Sequence, residues 1–111
     1  MGPGISHRSK AARVANEWKI TKYLYNGVDL TAAGDEVSYT FDKDGDFNFS
    51  DGVDTYTGKW ALIDDNEEIE YYFDVDPTEK YSYEIIKLKE KEMKWSPSLN
   101  GETEEITFEP K

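Results

Sequence analysis

Cysteine is absent from the 111 residues, and histidine occurs once, at His7. Without thiols there is no disulfide framework, thiolate nucleophile, zinc ribbon or redox pair, and the redox compartment stays open. With its single imidazole ahead of anything that reads as a fold, the chain has no histidine general base and no serine triad inside the body. No run approaches the ~20 consecutive apolar residues that a membrane-spanning helix requires. Positive charge is scarce too: 13 Lys and Arg stand against 24 Asp and Glu, for a net charge of −11. The few bases are unevenly placed. Residues 1–22 carry five bases and one acid, whereas residues 23–111 carry eight lysines against 23 acids. A body of that sign repels phosphate backbones, so nucleic acid is excluded as a partner; the charge reads as a solvated surface that favours solubility.

Aromatic residues are what the chain has in quantity: eight Tyr, five Phe and three Trp supply much of an apolar fraction of only 37%. They fall in short alternating runs separated by turn chemistry, which is the signature of an antiparallel meander. After a predicted short helix over Ser9–Glu17, with Ser9 as its N-cap, strand composition begins at Trp18 and runs to Tyr25, where Asn26-Gly27 turns the chain and Asp29–Asp35 reads as a loop. Val37, Tyr39 and Phe41 alternate with polar residues, Lys43-Asp44-Gly45 turns, and Phe47 and Phe49 return; period 2 places these rings on one face. Further strands are read at Tyr56–Leu62, Ile69–Phe73, Tyr81–Leu88, Met93–Trp95 and Thr103–Phe108. Between them lie turns at Asp64-Asp65-Asn66 and Asp76-Pro77-Thr78, a charged tip at Lys89–Glu92 and a break at Pro97–Gly101. Gly58, inside a strand, marks a bend or leaves room for a neighbouring ring.

Eight strands with hairpin-length connections leave no room for a parallel crossover. An open sheet with one aromatic face would expose two edges and a large apolar patch, so closure is favoured. The expectation is an all-β, eight-stranded antiparallel up-and-down barrel with a short N-terminal helix, spanning 9–111 as one domain. Residues 1–8 read as a disordered leader or expression scar. A sandwich would need returns other than hairpins.

The segments W-K-I-T-K-Y, N-G-V-D-L-T, Y-T-F-D-K-D-G-D-F, Y-T-G-K-W-A-L, Y-E-I-I-K-L and E-I-T-F, behind a short basic helix, resemble the small lipocalin-like domains of Gram-negative cell-envelope lipoproteins over about residues 12–109. Lipocalins place G-x-W at the start of the first strand, with the Trp closing one end of the barrel beside the helix. Here Asn16-Glu17-Trp18 keeps the Trp and not the Gly, while Gly58-Lys59-Trp60 is intact in the fourth strand. The resemblance implies a calycin-type barrel without enzymatic activity, a small hydrophobic molecule as partner, and a cell-envelope, periplasmic or secreted location. A monomer is expected.

Candidate chemistry is thin. Glu70 and Glu84 lie opposite the aromatic faces of their strands, on the solvent side, where a catalytic acid would lack the burial that tunes its pKa. Asp42–Asn48 superficially suggests a calcium loop, but the sixth position counted from Asp42 or from Asp44 is Phe47 or Phe49 where glycine is required. No catalytic residue, metal site or cofactor is expected. The candidate ligand-contacting set is the aromatic stripe itself: Trp18, Tyr39, Phe41, Trp60, Tyr71, Phe73, Tyr83 and Trp95. Eight-stranded interiors either fill with side chains or hold one small ligand. So many rings on short strands favour filling. If the core is solid, the alternative is a structural or interaction module that uses outward Tyr23, Tyr25 and Tyr72.

Overall fold

The computed structural model describes residues 9–97 and 103–111. The leader with His7, and residues 98–101 of the expected break, lie outside them. Helix α1 (Lys10–Val14) is capped by Ser9, whose side chain accepts from Ala12 N at 3.1 Å. It is shorter than the sequence predicts. Ala15 is already extended, because Asn16 opens strand β1 (Asn16–Tyr25) by pairing with Phe41.

After the Asn26-Gly27 turn come the two-residue strand β2 (Val28–Asp29) and a 3₁₀ turn (Thr31–Gly34), which together replace the expected loop. Strands β3 (Ser38–Phe41), β4 (Asp46–Ser50), β5 (Thr55–Ile63), β6 (Glu68–Phe73), β7 (Asp76–Lys89), β8 (Glu92–Pro97) and β9 (Glu104–Pro110) then follow. Each is antiparallel to its neighbour, and β1 pairs with β3 on one side and β9 on the other, so β1 and β3–β9 form a closed eight-stranded barrel. The up-and-down order expected from the hairpin spacing is the observed one.

Closure gives two unlike ends. The helix, the 42–45, 64–67 and 90–91 turns and the C-terminus sit at one. The other collects the β1–β2 turn, the 51–54 loop, the 74–75 turn and the start of β9. At the helix end the interior is solid: Val14, Trp18, Phe41, Phe47, Ile69, Met93, Trp95 and Phe108 are all under 2% exposed. The helix is fastened there by the Trp18 indole, which donates to Val14 O at 2.9 Å, and by Arg13, which donates to Leu88 O at 3.1 Å. Trp18 therefore occupies the position that the family resemblance implies.

One turn reading and the reading of Gly58 are corrected. The β6–β7 turn is Asp74-Val75, not Asp76-Pro77-Thr78; Pro77 lies in β7, in an excursion between Asp76, which pairs with Phe73, and Lys80, which pairs with Tyr72. Proline is tolerated there because a bulge does not need its missing N–H. Gly58 makes room for backbone rather than for a ring, since the atom nearest to an added Cβ is Tyr72 O. At Asp42 the carboxylate accepts from Asp44 N and Asp46 N, both at 2.9 Å, and so closes the β3–β4 turn as an Asx cap.

The two most buried indoles differ in one atom's fate. Trp18 Nε1 has its carbonyl, whereas Trp95 Nε1 is buried with no partner among the described residues. Replacing either by Phe removes ring volume, but only Trp18→Phe also strands a buried acceptor, a loss of about 1–3 kcal/mol. Urea unfolding is expected to show Trp18→Phe less stable than Trp95→Phe by about 1 kcal/mol or more; the reverse order would contradict this account of the core.

Candidate ligand-binding cleft

At the end opposite the helix the packing stops short. A cleft of about 440 Å³ opens between the strands, with Tyr39, Phe49, Tyr71, Phe73 and Tyr83 as floor and walls and Tyr56, Val75 and Tyr81 as its rim. Strand parity puts them there. Phe49 pairs with Tyr39 and Tyr56, and Tyr71 pairs with Tyr81, so each of five consecutive strands, β3 to β7, turns a ring to the inward face. They also pack on one another: Tyr71 and Tyr83 stack at 5.9 Å, Tyr39 meets Phe49 edge-on at 5.2 Å, and Tyr83 stacks on Trp95 at 4.4 Å.

The hydroxyls of this cluster converge. Tyr71 lies hydroxyl to hydroxyl with Tyr83 at 3.5 Å, and its ring meets that of Tyr39 edge-on at 6.3 Å. Burial pushes the phenols of Tyr39, Tyr71 and Tyr83 above their ordinary range, and for Tyr71 the neighbouring Tyr39 and Tyr83 push further the same way. They are neutral donors and acceptors, not bases.

One carboxylate joins them from β9. Glu104 shares the parity of buried Ile106 and Phe108, so it points inward at the open end, and Tyr23 donates to its Oε2 at 2.8 Å. Burial, then this hydrogen bond, raise the Tyr23 phenol to about 12. Tyr23 was expected to face outward. The β1 ladder slips between Ile20, which pairs with Phe108, and Lys22, which pairs with Thr107; Thr21 is the extra residue, and beyond it every side chain changes face. Tyr23 thus packs against the core, and Tyr25, paired with Glu104, takes the same face. Tyr72 keeps the outward position, with the Lys80 ammonium 6.0 Å from its ring centre.

Of the eight candidates read from the sequence, Tyr39, Tyr71, Phe73 and Tyr83 come together in the cleft. Trp18, Phe41, Trp60 and Trp95 pack below or beside it, with Trp60 donating to Asp42 O at 2.7 Å. Phe49, Tyr56, Val75 and Tyr81, which also line the cleft, were missed, as was Glu104, inward at the same end but outside the lining. Parity would have found Phe49, Tyr56 and Glu104, since each alternates with residues already read as inward. The same alternation, with Tyr83, would have found Tyr81, and Val75 alone depends on where the β6–β7 turn falls. The interior is therefore neither wholly filled nor wholly hollow.

A model of the lipocalin-like domain matches residues 14–95 of the chain. Among solved structures, a lipocalin-like protein from Bacteroides uniformis is similar in fold at a TM-score of 0.70 and 19% identity, over 89% of this chain and 99% of that one. No curated protein matches in sequence. With most of its length matched by the domain model and a closed eight-stranded barrel capped by a short helix, the chain belongs to the lipocalin-like domain family.

Proposed function

We propose that this barrel holds a small apolar molecule at its open end and does no catalysis. The observation that carries the reading is the aromatic cleft of about 440 Å³, a volume within the range of small-molecule sites, whose polar groups are tyrosine hydroxyls. Neutral tyrosine hydroxyls suit orienting a head group better than activating one. The resemblance to envelope proteins is the support for export.

The alternative, a solid-core interaction module, has support of its own. Apolar side chains stand exposed on elements of the same end, with Val53 at 89%, Val75 at 85% and Val28 at 57%. A neutral solvatochromic probe, N-phenyl-1-naphthylamine, separates the two. The expected result is a saturable, one-to-one fluorescence gain at a Kd on the order of 1–50 μM, weakened several-fold by Tyr56→Ala. Because Tyr56 is rim-exposed, its loss spares the fold. A gain that never saturates, or that ignores this substitution, refutes the cleft and favours the module.

A further inference from the structure

Resting on that reading, we infer that the preferred occupant carries a positive charge: an organic cation, an amine or quaternary ammonium on an apolar body, rather than a carboxylate such as a fatty acid. The argument is one of charge placement. Seven of the eight lining residues are aromatic, and among the described residues no lysine or arginine lines the cleft. Lys80 comes nearest in sequence, on β7 beside Tyr81, but its ammonium lies over the outward ring of Tyr72.

An anionic head group brought to the tyrosine hydroxyls would be desolvated with no counter-charge, which is costly. It would also lie in the field of Glu104, which faces inward at the same end, outside the lining and bonded to Tyr23, and whose charge is felt at both Tyr39 and Tyr83. For a cation every one of these features changes sign. Ring faces attract it, Glu104 supplies the opposite charge, and the acidic surface, eight lysines against 23 acids beyond residue 22, concentrates cations around the mouth. The tyrosines add neutral hydroxyl oxygens, acceptors that a cation approaches with no opposing charge.

The test displaces the neutral probe with three molecules sharing one ten-carbon tail, decyltrimethylammonium, decanoate and decanol, all below their micelle concentrations. The ammonium is expected to compete about tenfold better than decanoate, the size of a single well-placed cation–π or charge contact. Glu104→Gln keeps the shape and an acceptor for Tyr23; it is expected to remove most of that preference and leave decanol unchanged. Glu84→Gln, an exposed carboxylate on β7, controls for the general attraction of an acidic protein and is expected to change nothing. Equal competition by ammonium and decanoate, or a preference indifferent to Glu104→Gln, overturns the inference while the cleft reading stands. If the probe itself fails to bind, the cleft reading falls and this inference with it.

Discussion

Gly58→Ala is expected to cost more than about 4 kcal/mol, a rare magnitude for the addition of one methyl group. Gly58 sits in β5 opposite Phe73, where the β6–β7 ladder slips at Tyr72/Phe73. A Cβ built there lies 1.9 Å from Tyr72 O, 2.9 Å from Tyr72 C and 3.0 Å from Phe73 Cα. All three are backbone atoms, so no rotamer change relieves the overlap; β5 and β6 have to part, and the ladder between them with it. Domains of this kind hold about 5–15 kcal/mol in total. The variant should therefore melt at least about 15 °C lower, or fail to fold. Gly45→Ala is the control: its glycine is also special, at φ +94°, but the nearest atom to a new Cβ is 3.7 Å away. It bears only the left-handed backbone cost of about 1–2 kcal/mol. Should the two variants melt together, the close approach of β5 and β6 is wrong.

The contrast between these glycines shows what the sequence carried and what it did not. Gly45 was legible as turn chemistry because Lys43-Asp44-Gly45 lies between two alternating aromatic runs, and local signals of that kind set the strand count, the antiparallel order and the closure. Gly58 was legible as unusual, but not in its reason, which depends on the register of another hairpin. The same holds for β1. Trp18 and Ile20 alternate correctly, and nothing in W-K-I-T-K-Y-L-Y marks Thr21 as an inserted residue, because the bulge is imposed by pairing with β9. One slipped residue turned Tyr23 from a surface contact into a partner of Glu104. On β7 a similar slip between Ile85 and Lys87 leaves Ile86 half exposed.

The candidate site was half legible for a related reason. Period 2 identifies which rings face inward but not their height along the barrel. Phe41 is set at the helix end by its pairing with Asn16, and Trp18 by its hydrogen bond to Val14 O, whereas Tyr71 and Tyr83 line the cleft. Only closure, with its stagger between neighbouring strands, sorts the stripe into a solid lower half and a lined upper cleft. Glu104 was overlooked because a glutamate beside a second glutamate reads as surface charge; its alternation with Ile106 and Phe108 outweighs its type.

Raising the pH is expected to unfold the barrel cooperatively between about pH 10 and 12, with tyrosine ionisation and loss of tertiary structure occurring together. Below the ordinary phenol pKa of about 10 both folded and unfolded chains hold these protons, and nothing is lost. Above it the unfolded chain releases them. In the folded barrel Tyr39 and Tyr71, 7% and 5% exposed, keep theirs because burial raises both. Retaining a proton that the unfolded state has shed means that stability falls with pH, by about 1.4 kcal/mol per unit for each such group. These two tyrosines alone thus remove nearly 3 kcal/mol per unit. Tyr83, and Tyr23 until it titrates at about 12, act in the same direction. Absorbance at 295 nm should therefore show these four phenols ionising in a steep step that coincides with the change in tryptophan fluorescence. Tyr71→Phe deletes one retained proton and keeps the ring, so its step should move to higher pH. Gradual ionisation of all eight tyrosines near pH 10, with fluorescence unchanged, would mean that the cleft's hydroxyls are open to water, and the neutral, desolvated base on which head-group selection depends would not exist.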